Sequence, residues 1–233
     1  MKKNELSIKE ALQFALNQII EHCGLIIIIA LIGVVANIIR FGALPFILGI
    51  SFFISLFTYH TSYTPLSHVG WNFLTLKVLL AALLIFFIFK LIDSAYTLGF
   101  TKISLVLYDT HKAHYSLIFS CIHLAVYHFI ASLLYIIIVS FGLLLFVVPG
   151  IIWAIQFWFY PYCIADKEVG PLEALKMSSR LTYGKKRELC MFFAVITLIN
   201  LAAGACLVFG LIITYPLSVL ASAYVFRKLQ ATE

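Results

Sequence analysis

Apolar residues in this chain gather in blocks long enough to cross a bilayer, and charged residues gather between them. No Asp, Glu, Lys or Arg falls between Lys112 and Asp166, or between Glu188 and Arg227, which leaves uncharged runs of 53 and 38 residues. At about 20 residues per span, each run has room for about two. The blocks are continuous rather than alternating with period two, so the pattern predicts helices and not a membrane barrel. The predicted fold class is all-α: a polytopic transmembrane helix bundle forming a single integral membrane domain over residues 1–233.

The elements follow from that pattern. Residues 7–22 read as an amphipathic interfacial helix: Ser7 and Glu10 form a capping box, and Ile8, Leu12, Ala15, Leu16 and Ile19 make one apolar face. Spans are predicted at about 23–39, 76–101, 124–148, 151–165, 189–207 and 210–226. Pro149-Gly150 is expected to form the tight turn between the third and fourth, and Gly204 to Gly210 the turn between the last two. Residues 41–57 are apolar but short and carry Pro45, so a re-entrant or tilted segment and a full crossing both stay open. The stretch behind them, with Tyr59, His60, Tyr63, His68 and Trp71, reads as an interfacial collar.

Composition agrees with the pattern. Hydrophobic residues make up 63% of the chain and charged residues 11%, against roughly 45–50% and 25% in a soluble domain. Glu5, Glu10 and Glu21 postpone the first apolar run to Cys23, and no small-x-small cleavage site follows, so a retained first span is expected. The five cysteines, Cys23, Cys121, Cys163, Cys190 and Cys206, are scattered through or beside apolar runs and predict buried free thiols.

Lysine and arginine set the expected orientation, because cytoplasmic loops hold the excess. If 41–57 does not cross, both termini are cytoplasmic and 13 of the 16 basic residues lie inside. The predicted topology is therefore six full spans and one non-crossing segment. Glu10-Ala11-Leu12 recurs as Glu173-Ala174-Leu175, each ahead of a span that opens near a cysteine. The repeat would make three units of interfacial helix plus hairpin, with the stretch after Ser116 as the middle copy.

The segment 166–188 is a cytoplasmic loop carrying six basic and four acidic residues. Gly170-Pro171 starts a predicted helix over 171–183, Glu173 complements its dipole and Gly184 caps its end. Leu172, Leu175 and Ser179 are expected near one face, and Glu173, Lys176 and Arg180 along another. Lys185, Lys186 and Arg187 then meet the next span at the membrane surface. With Lys176 and Arg180 they are candidate contacts for anionic headgroups, each worth about 1 kcal/mol. The other reading of these charges is purely topological. Membrane lipids are the expected partners, a protein partner stays open, and nucleic acid is not expected.

The run from Pro149-Gly150 through an aromatic short span to Asp166, Gly170, Pro171, Glu173-Ala174-Leu175-Lys176, Ser178, Leu181-Thr182 and Gly184 resembles a bacterial membrane-protein superfamily. That superfamily includes YciC-like proteins and the membrane domain of some glycerophosphoryl diester phosphodiesterases. LGFTKISLVLYD at 98–109, followed by Ser116 and Phe119, is similar to its central loop. The likeness is good over 98–189, fair in the N-terminal helix and poor over 41–75. It implies a multi-pass protein of the bacterial inner membrane, with Pro149, Gly150, Asp166, Gly170, Pro171, Glu173, Ser178 and Gly184 as structural positions. It does not imply phosphodiesterase activity, which belongs to a separate soluble domain.

For chemistry, the sharpest feature is FFIFKLIDSAY, which places Lys90 and Asp93 within a predicted span. A charge at depth costs about 2.5–3.5 kcal/mol on insertion scales, so both are expected to face the bundle interior. Their spacing lets them pair on one helix face, with Tyr96 continuing the line and Asn37, Gln156 and Asn200 as further interior polar groups. The pair is either a functional site, such as a coupling site of a transporter, or a neutralised structural pair. His111 and His114 have an HxxH spacing, but only Asp109 stands in the loop to complete a ligand set, and His123 and His128 read as interfacial. No metal or other cofactor is expected. GxSxG, Walker and dinucleotide motifs are missing, as is an aspartate-rich phosphotransferase pattern, so no enzyme activity is predicted.

Overall fold

The computed structural model describes residues 7–33, 35, 49, 53, 67–205 and 208–232. Among these residues every regular element is helical. In chain order they are α1 (Ile8–Glu21), α2 (Cys23–Gly33), α3 (Ser67–Thr110), α4 (Leu117–Ser120), a 3-10 turn (Ile122–Leu124), α5 (Ala125–Leu145), α6 (Val147–Phe157), α7 (Tyr160–Lys167), α8 (Pro171–Leu181), α9 (Lys186–Ala205) and α10 (Val208–Gln230). Among the described residues four stretches are long and apolar enough to cross a membrane: 83–110, 122–145, 147–167 and 186–204. The bent pair α1–α2 would make a fifth. The chain divides into two compact units, residues 1–32 with 94–233 and residues 33–93. Residues 41–57, with their open question of crossing, lie outside the described residues apart from positions 49 and 53, as do Asn37, Tyr59, His60 and Tyr63.

The amphipathic first helix forms as its caps dictate. The Ser7 hydroxyl accepts the Glu10 amide at 3.3 Å, and α1 ends at His22, where α2 departs at 99°. Its buried line is Ala11, Ala15 and Gln18, packed on α10. Ile8, Leu12 and Ile19 flank that line, whereas Leu16 faces outward. The expected apolar face is therefore rotated. Small side chains at 11 and 15 let α1 and α10 approach closely, and the larger ones sit to the side.

The internal repeat has a structural counterpart in α8. Ala174, Ser178 and Leu181 are buried there, at the same offsets from Glu173 as Ala11, Ala15 and Gln18 from Glu10. The stretch after Ser116 forms only the four-residue α4, too short to stand as a third copy of that helix.

Several boundaries differ from expectation. The α5–α6 turn falls at Phe146, the single residue in extended conformation between the two helices, and not at Pro149-Gly150. Pro149 is inside the first turn of α6, where a missing N–H removes no helical bond. Gly150 serves close approach instead: a Cβ there would lie 2.7 Å from the Leu143 amide nitrogen, and one on Gly142 would lie 2.7 Å from the Trp153 ring. The predicted 151–165 span falls inside the apolar stretch 147–167, which is long enough to cross and is interrupted at Trp158–Phe159 between α6 and α7. The expected collar is helical from Ser67 onward, because α3 begins there.

Other expectations are met more closely. Pro171 opens α8 behind an extended Gly170, Glu173 occupies its first turn, and Gly184 follows at φ 79°, in the left-handed region that a side chain disfavours. The helix itself ends at Leu181, two residues before the expected position. The last two apolar helices, α9 and α10, turn within 205–208.

Candidate functional site

The break between α6 and α7 is a polar joint. Where a helix stops, carbonyl and amide groups lose their partners and must find others if they are buried. Here α8 supplies them. The Gln156 carbonyl accepts the Ser178 hydroxyl at 2.9 Å and the Thr182 hydroxyl at 3.2 Å, and the Phe159 amide donates to Ser178 Oγ at 3.1 Å. Ser178 and Thr182 are fully buried. The Gln156 side-chain amide donates to Ser179 Oγ, and its oxygen accepts Lys186 Nζ at 3.0 Å. Ser178 was placed by resemblance alone; its task is to satisfy a helix end 22 residues away in sequence.

Beyond the joint, α7 ends in an ionic knot. The Arg227 guanidinium of α10 donates to Asp166 Oδ1 at 2.9 Å and to Asp109 of α3, and it holds Gln230 Oε1 at 2.8 Å. Gln230 in turn donates to Asp166 Oδ2 at 3.1 Å. Lys102 caps the end of α7 through the Ala165 carbonyl at 2.7 Å, a cation on helix C-terminal carbonyls. One residue along α10, Lys228 and the Tyr224 hydroxyl both donate to Glu10 of α1, at 2.8 and 2.9 Å. Hydrogen bonds from Lys228 and then Tyr224, with the Lys228 charge, hold the Glu10 carboxyl below its ordinary range. The rings of Phe14, Tyr108 and Tyr224 meet beside this tie with centroids 5.4–5.7 Å apart.

In the sequence Arg227 and Lys228 are simply two of the basic residues that follow the last apolar block. Their partners stand 61, 118 and 218 positions away, and a single sequence carries no signal for pairs so remote.

The five basic candidates divide into two groups. Lys185 donates to Thr232 Oγ1 at 2.7 Å and Lys186 to Gln156, so both tie the chain to itself. Lys176, Arg180 and Arg187 are exposed. On α8 and just beyond it, Leu172, Lys176, Arg180 and Tyr183 recur at intervals of four, four and three and are all exposed. Of the expected face, Leu175 is buried and half-buried Ser179 bonds to Gln156 of α6, whereas Leu172 is on the outside.

Lys90 and Asp93 do pair, at 3.5 Å, with side chains 34% and 31% exposed. Tyr96, three residues further on, donates its hydroxyl to the Ile29 carbonyl at 2.8 Å. Asn200 bonds to Ser218 Oγ at 2.8 Å and Gln156 belongs to the joint.

The histidines have separate surroundings. His111 takes a positive φ at the end of α3, with its ring bonded to buried Gln18 at 3.0 Å and its carbonyl to His22. His128 bonds Ser94 at 2.6 Å and stacks on Tyr160, while exposed His123 lies 4.0 Å from Glu168. Cys121 and Cys163 are buried thiols outside any disulfide, as expected; Cys23 and Cys190 are likewise thiols but exposed, and Cys206 lies outside the described residues.

Set against protein-family models, curated proteins and solved structures, the chain matches none. Its helices long and apolar enough to cross a membrane mark a membrane-embedded protein.

Proposed function

We propose that this is a non-enzymatic membrane module that binds and organises anionic lipid at the surface where α8 meets α9. The observation that carries the reading is the exposed set Lys176, Arg180 and Arg187, flanked by exposed Leu172 and Tyr183 and standing on a segment fixed by the Gln156 joint. Cations attract anionic headgroups, and apolar and aromatic neighbours suit the membrane interface. A partner protein could use the same face. The resemblance of residues 149–184 to the YciC-like superfamily supports a bacterial inner-membrane, multi-pass reading with both termini cytoplasmic.

Mass spectrometry of lipid retained after gentle purification tests it. Wild type is expected to keep phosphatidylglycerol or cardiolipin, and Lys176→Gln/Arg180→Gln/Arg187→Gln to lose most of it while Lys185→Gln keeps it. Equal retention by all three proteins would remove the lipid reading, and a co-purified stoichiometric protein would favour the partner reading.

A transporter of a small or lipid-like solute is the second reading, favoured by the Lys90–Asp93 pair at 3.5 Å. It requires solute-dependent thermal stabilisation that Asp93→Asn abolishes.

A further inference from the structure

We infer that the α5–α6 hairpin does not emerge on the far side of the membrane: it enters from the side of the charged segment 166–188 and turns inside the hydrocarbon. Residues 141–152, FGLLLFVVPGII, contain no polar or charged side chain. At their centre Leu144 is 84% and Phe146 74% exposed, and Leu145, Val147 and Val148 are exposed beside them. Three other turns of this unit look different. THKAHYS at 110–116, KEVG at 167–170 and TYGK at 182–185 each hold charged or hydroxyl side chains.

The backbone of the turn is short, and beyond Phe146 it leaves open only helix-end groups, the amides of Val147 and Val148 and the carbonyls of Leu143, Leu144 and Leu145. Irregular backbone is excluded from hydrocarbon because its polar groups go unpaired. Here one residue alone is irregular, and both of its groups are paired: the Phe146 amide donates to the Gly142 carbonyl at 3.0 Å and the Phe146 carbonyl accepts the Gly150 amide at 3.3 Å. Pro149 removes one further donor from the start of α6. The glycines that bring Leu143, Gly142, Gly150 and Trp153 together make the turn tight enough for these bonds.

The depth fits on the α6 arm, whereas α5, 21 residues and about 32 Å long at 1.5 Å per residue, runs on past that level. Gln156 is bonded to Ser178, Ser179, Thr182 and Lys186 of the charged segment, so it marks the water boundary on α6. Ten residues of helix separate it from Phe146, about 15 Å at 1.5 Å per residue. That is half of the roughly 30 Å hydrocarbon core. The occupant of the surface around Phe146 is therefore the acyl chains of the bilayer. Counting basic residues is blind to this arrangement, since both ends of a hairpin remain on one side whether or not its tip crosses.

Single cysteines at Phe146, Leu144 and Tyr183, placed in the full chain with its native cysteines replaced, test the inference in sealed vesicles of both orientations. Tyr183→Cys is expected to react with a membrane-impermeant maleimide from one side. Phe146→Cys and Leu144→Cys should react from neither, and a bimane attached to either before reconstitution should be quenched by lipids brominated near the middle of their chains. Modification of Phe146→Cys or Leu144→Cys from the side opposite Tyr183, or protection without lipid quenching, would overturn it. Two tip positions guard against one variant failing to assemble.

Discussion

The stretch from α5 to α7 is interrupted at Phe146 and again at Trp158–Phe159, and the two interruptions are handled in opposite ways. At Phe146 the backbone closes on itself and every neighbouring side chain is apolar. At Trp158–Phe159 the freed groups are met by hydroxyls from α8, with Lys186 joining through Gln156. A helix end needs partners in either place, but only the second has side chains that can supply them. The choice of device thus reports the surroundings: side-chain bonds near water, self-contained backbone bonds in lipid.

Substitutions that exchange the two solutions sharpen the contrast. The largest effect is expected at the polar root. Arg227→Met leaves Asp109 and Asp166 facing each other without their shared cation, and removing one partner from a buried ion pair costs about 3–5 kcal/mol. These groups retain exposure, 19% for Arg227, 17% for Asp166 and 42% for Asp109, so at most the low end is expected, read as thermal unfolding in mild detergent. Next comes Phe146→Lys, which places a charge in hydrocarbon and should cost about 2.5–3.5 kcal/mol if the tip lies at depth. Trp158→Lys, on the exposed side of the polar joint, should leave the yield of inserted protein nearly unchanged. Equal yields of the two would abolish the distinction between the interruptions.

Ser178→Ala is expected to cost about 1–3 kcal/mol, because it leaves the buried Phe159 amide without its acceptor. Ser179→Ala, whose partner Gln156 also binds Lys186, should cost less in the same melting experiment. Gly150→Ala should cost about 1–3 kcal/mol by forcing α5 and α6 apart. It tests the claim that Pro149-Gly150 is a device for close approach rather than the turn itself.

The smallest effect concerns acidity. The bonds to Glu10 depress its pKa, so their contribution is fully present above the ordinary carboxylate value and is lost as pH falls through the lowered one. The melting difference between wild type and Glu10→Gln should therefore be visible at neutral pH and vanish in that acid window. Because Glu10 is exposed, the difference is expected to be small.

Much of this architecture could be read from the chain. Blocks of uncharged residues located α5, α6, α9 and α10, and capping chemistry located α1 and α8. What escaped depends on contacts across the fold. A uniformly apolar run gave no reason to break the 151–165 span, since the groups that satisfy the break come from Ser178 and Thr182 on another helix. Pro149-Gly150 read as a turn because that dipeptide suits turns, yet proline also suits a first helical turn and glycine a close helix pair. The Lys90–Asp93 pair was legible because its members lie three residues apart; the Arg227 knot was not, because its members come from three helices. The five basic candidates looked alike in sequence and were separated only by what each reaches.

Consider last what Arg227, Lys228 and Thr232 imply for how the protein is made. A ribosome releases α1, α3, α7 and the start of α9 before it releases the end of α10, yet that end holds Glu10, Asp109, Asp166 and Lys185. During synthesis those groups wait for these partners, and the ties close only when the end of α10 arrives. Interruption of translation before Arg227 would leave helices inserted but unlatched, a state that a membrane protease could distinguish from the finished bundle.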